Sequence, residues 1–170
     1  MAVEIDGGVR GKAVALITMG CAKNEVDSQH MTRRLMAAGY RMEEDPSRAD
    51  CIIVNTCSFI QSATEESLEA VFEVLGLENV AAGAAKVVVA GCMPARYGAQ
   101  LEESLPEASS FVPCSKEDDI AAVVDGLLGV VRGEGDEQPR YQAAGALPGE
   151  YGTYAYVKIS DGCDRRCAYC

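Results

Sequence analysis

The chain has 170 residues, enough for one ordinary domain with a sizeable core and a piece of a second. Its 26 acidic against 15 basic residues leave a net charge of −11, which repels phosphate backbones and favours a basic protein partner over a nucleic acid. No run of about 18 apolar residues and no apolar leader stretch in "MAVEIDGGVRGK" argue against a membrane span and a secretory signal, so a reducing, cytoplasmic setting is expected, where the eight cysteines stay free or bind metal.

Residues 13–19, "AVALITM", are a short apolar run of strand length ending at Gly20-Cys21, as in a strand buried on both faces. Asn24 can cap a helix through about Ala38, with Asp27 in its first turn and Gly39 as a stop. "YRMEE" reads as a short strand and "CIIVNT" (51–56) as another buried one. A helix follows in which Leu68, Val71, Phe72 and Leu75 repeat at i, i+3, i+4, i+7, with Glu65, Glu66, Glu69 and Glu73 outside. "KVVVAG" (86–91) is the next strand, and Pro94 suits the first turn of a helix carrying Tyr97 and Leu101. "SSFVP" (109–113) is a further strand. Ser115 with Asp118 resembles a capping box for a helix that turns Ile120, Val123, Val124, Leu127 and Leu128 inward.

Strands alternating with amphipathic helices predict an α/β domain over residues 12–128: an open, mainly parallel sheet with helices on both faces. Residues 129–149 hold five glycines and two prolines without helical or strand period, and read as a linker. An alternating strand over Tyr154–Ser160 then leads into Cys163-Asp164-Arg165-Arg166-Cys167-Ala168-Tyr169-Cys170. A strand and a loop stopping on a ligand-like residue predict that residues 150–170 open a second domain, truncated here.

The cysteines fall in two sets. Cys163, Cys167 and Cys170, spaced C-x3-C-x2-C, can converge on one soft-metal centre. A closed zinc site wants four ligands, and the only histidine, His30, lies far upstream in the first helix, where it reads as a surface residue; a 4Fe-4S cluster on three thiolates leaves one iron open. Cys21, Cys57 and Cys92 each follow a strand. In a parallel sheet the loops leaving the carboxyl ends share one edge, where ligands sit, so these three thiols are expected on one rim as a second cluster site rather than as core residues. Gly20 and Gly91 precede two of them and would let the backbone approach a bulky cofactor. Asn24 and Asn55 could donate to the sulfurs or order the loops. Cys51 begins its strand, on the opposite edge, and reads as a packed thiol; Cys114 follows a strand on the ligand-bearing edge but reads mainly as structural.

The blocks "MGCAKNEVDS", "VNTCSFIQSATEES" and "VAGCMPARY", with "LPE" and the C-x3-C-x2-C loop after "YAYVKISDG", resemble the methylthiotransferases, a radical S-adenosylmethionine (AdoMet) family. The resemblance implies two 4Fe-4S clusters, one on Cys21, Cys57 and Cys92 that carries sulfur, and one on Cys163, Cys167 and Cys170 that binds and cleaves AdoMet, with Tyr169 beside the adenine. Lys23-Asn24 and Phe59-Ile60 are similar to the branch that adds a methylthio group to an aspartate of small-subunit ribosomal protein S twelve, although Ala22 stands where proline is common and Gln29-His30 depart from that branch's usual pair. An electron donor and a sulfur source are implied as further partners. No catalytic residue beyond the cluster ligands is assigned, and the fragment alone is expected to be inactive. The alternatives are the family branch acting on isopentenyl-adenosine of transfer RNA, and a non-catalytic zinc or iron-sulfur module.

Overall fold

The computed structural model describes Val9 and residues 11–132, together with Tyr156, Ser160 and Ala168. Five strands form one open sheet, all parallel, in the order β2-β1-β3-β4-β5. They are β1 (Ala13–Thr18), β2 (Arg41–Met42), β3 (Cys51–Thr56), β4 (Lys86–Gly91) and β5 (Ser110–Pro113). The helices are α1 (Ala22–Ala37), α2 (Gln61–Leu75), α3 (Glu78–Ala81), α4 (Cys92–Tyr97), α5 (Ala99–Ser104) and α6 (Ile120–Leu128), with 3-10 turns at Pro46–Arg48 and Cys114–Asp119.

The strands carry short runs of Val, Ile and Ala, which fit a pleated surface covered by helices. Successive residues point to opposite faces. Val14, Ile53, Val88 and Val112 therefore pack with Met31 and Leu35 of α1 and Ile120 and Val124 of α6. Ala15, Ile52, Val54, Val87 and Val89 pack instead with Val71 and Val74 of α2, Met93 of α4 and Leu101 of α5. Every residue of β3 is buried, as its central place requires. Each such aliphatic side chain removed from water stabilises the fold by about 1.5–3 kcal/mol before the entropy of ordering it is charged.

Register decides where the functional ends lie. Thr18 pairs with Asn55, Asn55 with Ala90, Thr56 with Gly91, and Gly91 with Pro113. The last residues of β1, β3, β4 and β5 thus end along one rim.

Local details depart from the sequence expectations. Asn24 does not cap α1: the helix begins at Ala22 with Cys21 at the N-cap, and Asn24 is a fully buried residue of the first turn whose amide is taken up by the β3 rim. Of the face expected on α2, Val71 is buried and Leu68 and Leu75 pack against the same core, but Phe72 is 58% exposed, and Ser67 and Val74 are buried instead. The Ser67 hydroxyl accepts from the Cys57 backbone N–H and donates to the Cys57 carbonyl, a polar contact that suits this orientation of α2. Pro94 falls in the first turn of its helix, as expected, but that helix starts at Cys92 and divides around Gly98 into α4, which carries Tyr97, and α5, which carries Leu101. Ser115 makes no capping box; it lies in the 3-10 turn, and α6 starts at Ile120. His30 is half-buried on α1 rather than a surface residue. Beyond Arg132, the expected linker and the strand before Cys163 lie outside the described residues, the three isolated positions apart.

Candidate metal centre

The rim gathers the thiols of Cys21, Cys57 and Cys92, and adds that of Cys114. Cys21 ends the β1 loop as the N-cap of α1 and is exposed. Cys57 follows β3 and is 2% exposed. Cys92 is the first residue of α4, directly after β4, and Cys114 opens the 3-10 turn directly after β5; both are half-buried.

Two glycines let these loops crowd together. Gly20 has φ +95°, and a Cβ there would lie 2.3 Å from Cys57 Cβ and 2.8 Å from its sulfur. Gly91, also at φ +95°, would drive a Cβ to 2.3 Å from Asn55 Oδ1 and 2.6 Å from the Thr56 carbonyl. Positive φ is cheap only for glycine. The close approach anticipated at these positions is therefore between neighbouring loops, and it is what packs Cys57 against the Cys21 loop.

Buried amides hold the rim in shape. Asn24 Nδ2 donates to Asn55 Oδ1 (3.2 Å) and to the Thr56 carbonyl (2.9 Å), while Asn55 Nδ2 donates to the Asn24 carbonyl and to Ser28 Oγ, both at 2.9 Å. Thr56 Oγ1 donates to the Ala90 carbonyl (2.6 Å), joining β3 to β4. Among the described residues, Asn24 and not Asn55 meets a sulfur, as an acceptor: the Cys21 thiol donates to its Oδ1 at 3.3 Å. Their part is chiefly to order the loops. Arg96 of α4 donates to the Ser58 carbonyl, bracing the residue after Cys57.

Electrostatics single out Cys92. Its Sγ lies 3.9 Å from Cys114 Sγ and accepts the Cys114 S–H. That bond, helped by the Lys23 ammonium, draws the Cys92 thiol down to about 7 against burial and the neighbouring Cys57 and Cys21 thiols. The same bond, with burial, pushes the Cys114 thiol far up, and the two thiols titrate as a pair. Lys23 is held by buried Asp27, Nζ to Oδ2 at 2.7 Å. Burial opposes its charge, but the Asp27 bond and the attraction of Cys114 and Cys92 raise its pKa above the ordinary lysine value. A fixed cation thus stands beside thiols that must ionise to bind metal.

The donor set fits an iron-sulfur group. Several thiols on rigid element ends, a cation close by and buried amides behind the loops are what a soft cluster needs of a protein. Asp27, Cys114 and Glu117 also place ligand atoms within 4.8 Å of one another beside the thiols. In the sequence, Cys114 falls on the ligand-bearing edge, able to line the site but read mainly as structural, while the Lys23–Asp27 pair is not singled out and offers no signal there. Cys51 lies fully buried at the opposite end of β3, where burial pushes its thiol up to about 12. Cys163, Cys167, Cys170 and Tyr169 lie outside the described residues. An open cleft of about 530 Å³ beside α1 and β2 is lined by Glu25, Glu43 and Glu44 and by none of the thiols. Among the described residues, no helix is long and apolar enough to cross a membrane.

Comparison with known proteins places the chain in a family. Residues 13–113 match the family model described as "Uncharacterized protein family UPF0004", which spans β1 through β5. Over 161 residues the chain is 42% identical to "Ribosomal protein uS12 methylthiotransferase RimO" of Anaeromyxobacter sp. (strain Fw109-5), covering 92% of this chain and 33% of that protein. The protein of the same name from Acetivibrio thermocellus is 36% identical over 169 residues, covering 94% and 37%. That from Acaryochloris marina is 39% identical over 166 residues, covering 93% and 35%. The chain spans about a third of the length of these relatives. On the family match and these identities, the chain belongs to the UPF0004 family, the N-terminal domain of methylthiotransferases.

Proposed function

We propose that this chain is the N-terminal part of a methylthiotransferase acting on an aspartate of ribosomal protein S twelve, and that Cys21, Cys57 and Cys92 hold a 4Fe-4S cluster in it. The observation that carries the reading is the convergence of three thiols, distant in sequence, on one rim of the sheet beside Lys23. A four-iron cluster on three thiolates supplies an open iron at which sulfur can be carried. The chain's own contribution is placement: Gly20 and Gly91 bring the loops together, Asn24 and Asn55 lock them, and Lys23 offsets the thiolate charge. The relatives' name supports the ribosomal-protein substrate, and the net charge of −11 suits a basic protein better than transfer RNA.

In this reading Cys163, Cys167 and Cys170 hold a second 4Fe-4S cluster that binds AdoMet, Tyr169 packs beside the adenine, residues 129–149 link the two parts, and the protein works in the cytoplasm with an electron donor and a sulfur source. Anaerobic reconstitution of the 170-residue chain with iron and sulfide tests the ligand set. Four-iron absorption that falls in Cys21→Ser, Cys57→Ser and Cys92→Ser alike supports it; full loading of any of the three overturns it for that residue. The 170-residue chain alone should release no 5′-deoxyadenosine from AdoMet. In the full-length protein, methylthiolation of the ribosomal protein and not of isopentenyl-adenosine in transfer RNA is the expected outcome.

One observation favours a second reading, a zinc module. The 3.9 Å between Cys92 and Cys114 sulfurs matches the edge of a tetrahedral zinc-thiolate site, about 3.8 Å for bonds of about 2.3 Å. Stoichiometric zinc that iron and sulfide do not replace would decide for it.

A further inference from the structure

Cys114 belongs to neither proposed ligand trio, yet its sulfur is the one in hydrogen-bond contact with a ligand sulfur. We propose that Cys92 and Cys114 form a thiol pair that exchanges with low-molecular-weight disulfides such as glutathione disulfide, closing to an internal disulfide that withdraws Cys92 from metal binding. The exchange stands on the two thiols alone; its effect on metal loading rests on Cys92 being a ligand.

The backbone already suits the bond. Gly91 and Pro113 are register partners at the ends of parallel β4 and β5, so Cys92 and Cys114 are the next residue on each of two neighbouring strands. Neighbouring strands lie about 4.8 Å apart, and disulfides accept Cα separations of about 4.4–6.8 Å. The sulfurs, now 3.9 Å apart, must close to about 2.05 Å, a displacement within reach of side-chain rotation. Both thiols are half-buried and so open to a small reagent, whereas Cys51 is fully buried and Cys57 is 2% exposed beneath Gly20.

The chemistry balances with the disulfide as sole oxidant. One thiolate of the pair attacks a sulfur of glutathione disulfide and expels one glutathione thiolate, leaving a mixed disulfide. The second thiol, its proton passing to water, attacks the protein sulfur of that mixed disulfide and expels the second glutathione. Two protein thiols are oxidised and one disulfide is reduced to two thiols. A small dithiol reverses both steps. Iron bound to Cys92 occupies the attacking sulfur, so the pair closes only in metal-free protein.

The experiment uses the metal-free, reduced 170-residue chain exposed to glutathione disulfide, followed by intact mass and peptide mapping. The expected product has lost two hydrogens, carries no glutathione, and joins the peptides of Cys92 and Cys114; Cys51→Ala gives the same link. Cys114→Ser, confirmed folded by circular dichroism, gives no link and instead retains glutathione on Cys92 or a free thiol there. Oxidised wild-type chain should take up several-fold less iron on reconstitution, restored by dithiothreitol. A wild-type product carrying only glutathione adducts, or a link chiefly between other cysteines, overturns the proposal. If the Cys92–Cys114 link forms but Cys92→Ser still loads fully, the exchange stands and the ligand reading of Cys92 fails.

Discussion

Asn24 and Asn55 hold each other across the rim: Asn55 Nδ2 donates to the Asn24 carbonyl at 2.9 Å, and Asn24 Nδ2 donates to Asn55 Oδ1 at 3.2 Å. Both are fully buried. The reciprocal pair ties the first turn of α1, which Cys21 precedes, to the end of β3, which leads to Cys57. Neither asparagine need touch a metal to matter for one.

Asn55→Ala should therefore destabilise the domain by about 2–4 kcal/mol, because it removes three buried hydrogen bonds, those that Asn55 makes with the Asn24 amide, the Asn24 carbonyl and Ser28 Oγ. Urea unfolding measures this. A loss below about 0.5 kcal/mol would mean that the rim relaxes without the pair.

Gly91→Ala should cost about 2–5 kcal/mol, combining positive-φ strain with a Cβ pushed against Asn55 Oδ1 and the Thr56 carbonyl, which is backbone and cannot swing away. Gly83→Ala is the control. It shares a positive φ, +73°, but nothing lies within 4 Å of its Cβ, so only the backbone term of about 1–2 kcal/mol remains. Equal losses in the two variants would remove the crowding argument.

Stability should fall with rising pH above about 9. Burial pushes the Cys51 thiol up to about 12 from an ordinary 9.0, so folding favours the neutral form. A group whose folded pKa is raised gives stability that is complete below the unfolded value and disappears as pH climbs through the folded one. The whole term is on the order of 4 kcal/mol, from about three pH units at about 1.4 kcal/mol each. Urea midpoints at pH 8, 10 and 11 should show a steep decline in wild type and a shallower one in Cys51→Ala; parallel slopes would contradict it.

Arg132→Ala should destabilise by about 1–3 kcal/mol. Its guanidinium is bidentate on Asp125 at 2.6 and 2.7 Å and donates to the Ala38 carbonyl, while Tyr40 donates to the same carboxylate at 2.6 Å. Removing the arginine leaves a mostly buried carboxylate with its positive partner gone. In a double-mutant cycle, Arg132→Ala with Asp125→Ala should cost clearly less than the two single losses added; additivity would show that the pair does not couple.

Much of the fold was legible because strand and helix leave different periods in a sequence. β3 and β4 fall where "CIIVNT" and "KVVVAG" place them, since a buried parallel strand reads as an unbroken apolar run bounded by polar or glycine residues. The rim position of Cys21, Cys57 and Cys92 followed from the same reading, because in parallel strands the carboxyl ends share an edge. Helix faces were less legible. Phe72 satisfies the helical spacing with Leu68 and Leu75, yet it is exposed and Val74 is buried, an outcome set by how α2 docks on the sheet, where Ser67 bonds to the Cys57 backbone.

The sequence alone determined the succession of strands and helices and the placement of three thiols after strand ends, because hydrophobic period and chain direction are local properties. Tertiary structure alone decided that Asn24 braces β3 instead of capping α1, that Gly20 and Gly91 make room for loops, and that Cys114 sits 3.9 Å from Cys92. Each of these depends on the register between strands far apart in the chain, because that register sets which loop ends meet along the rim.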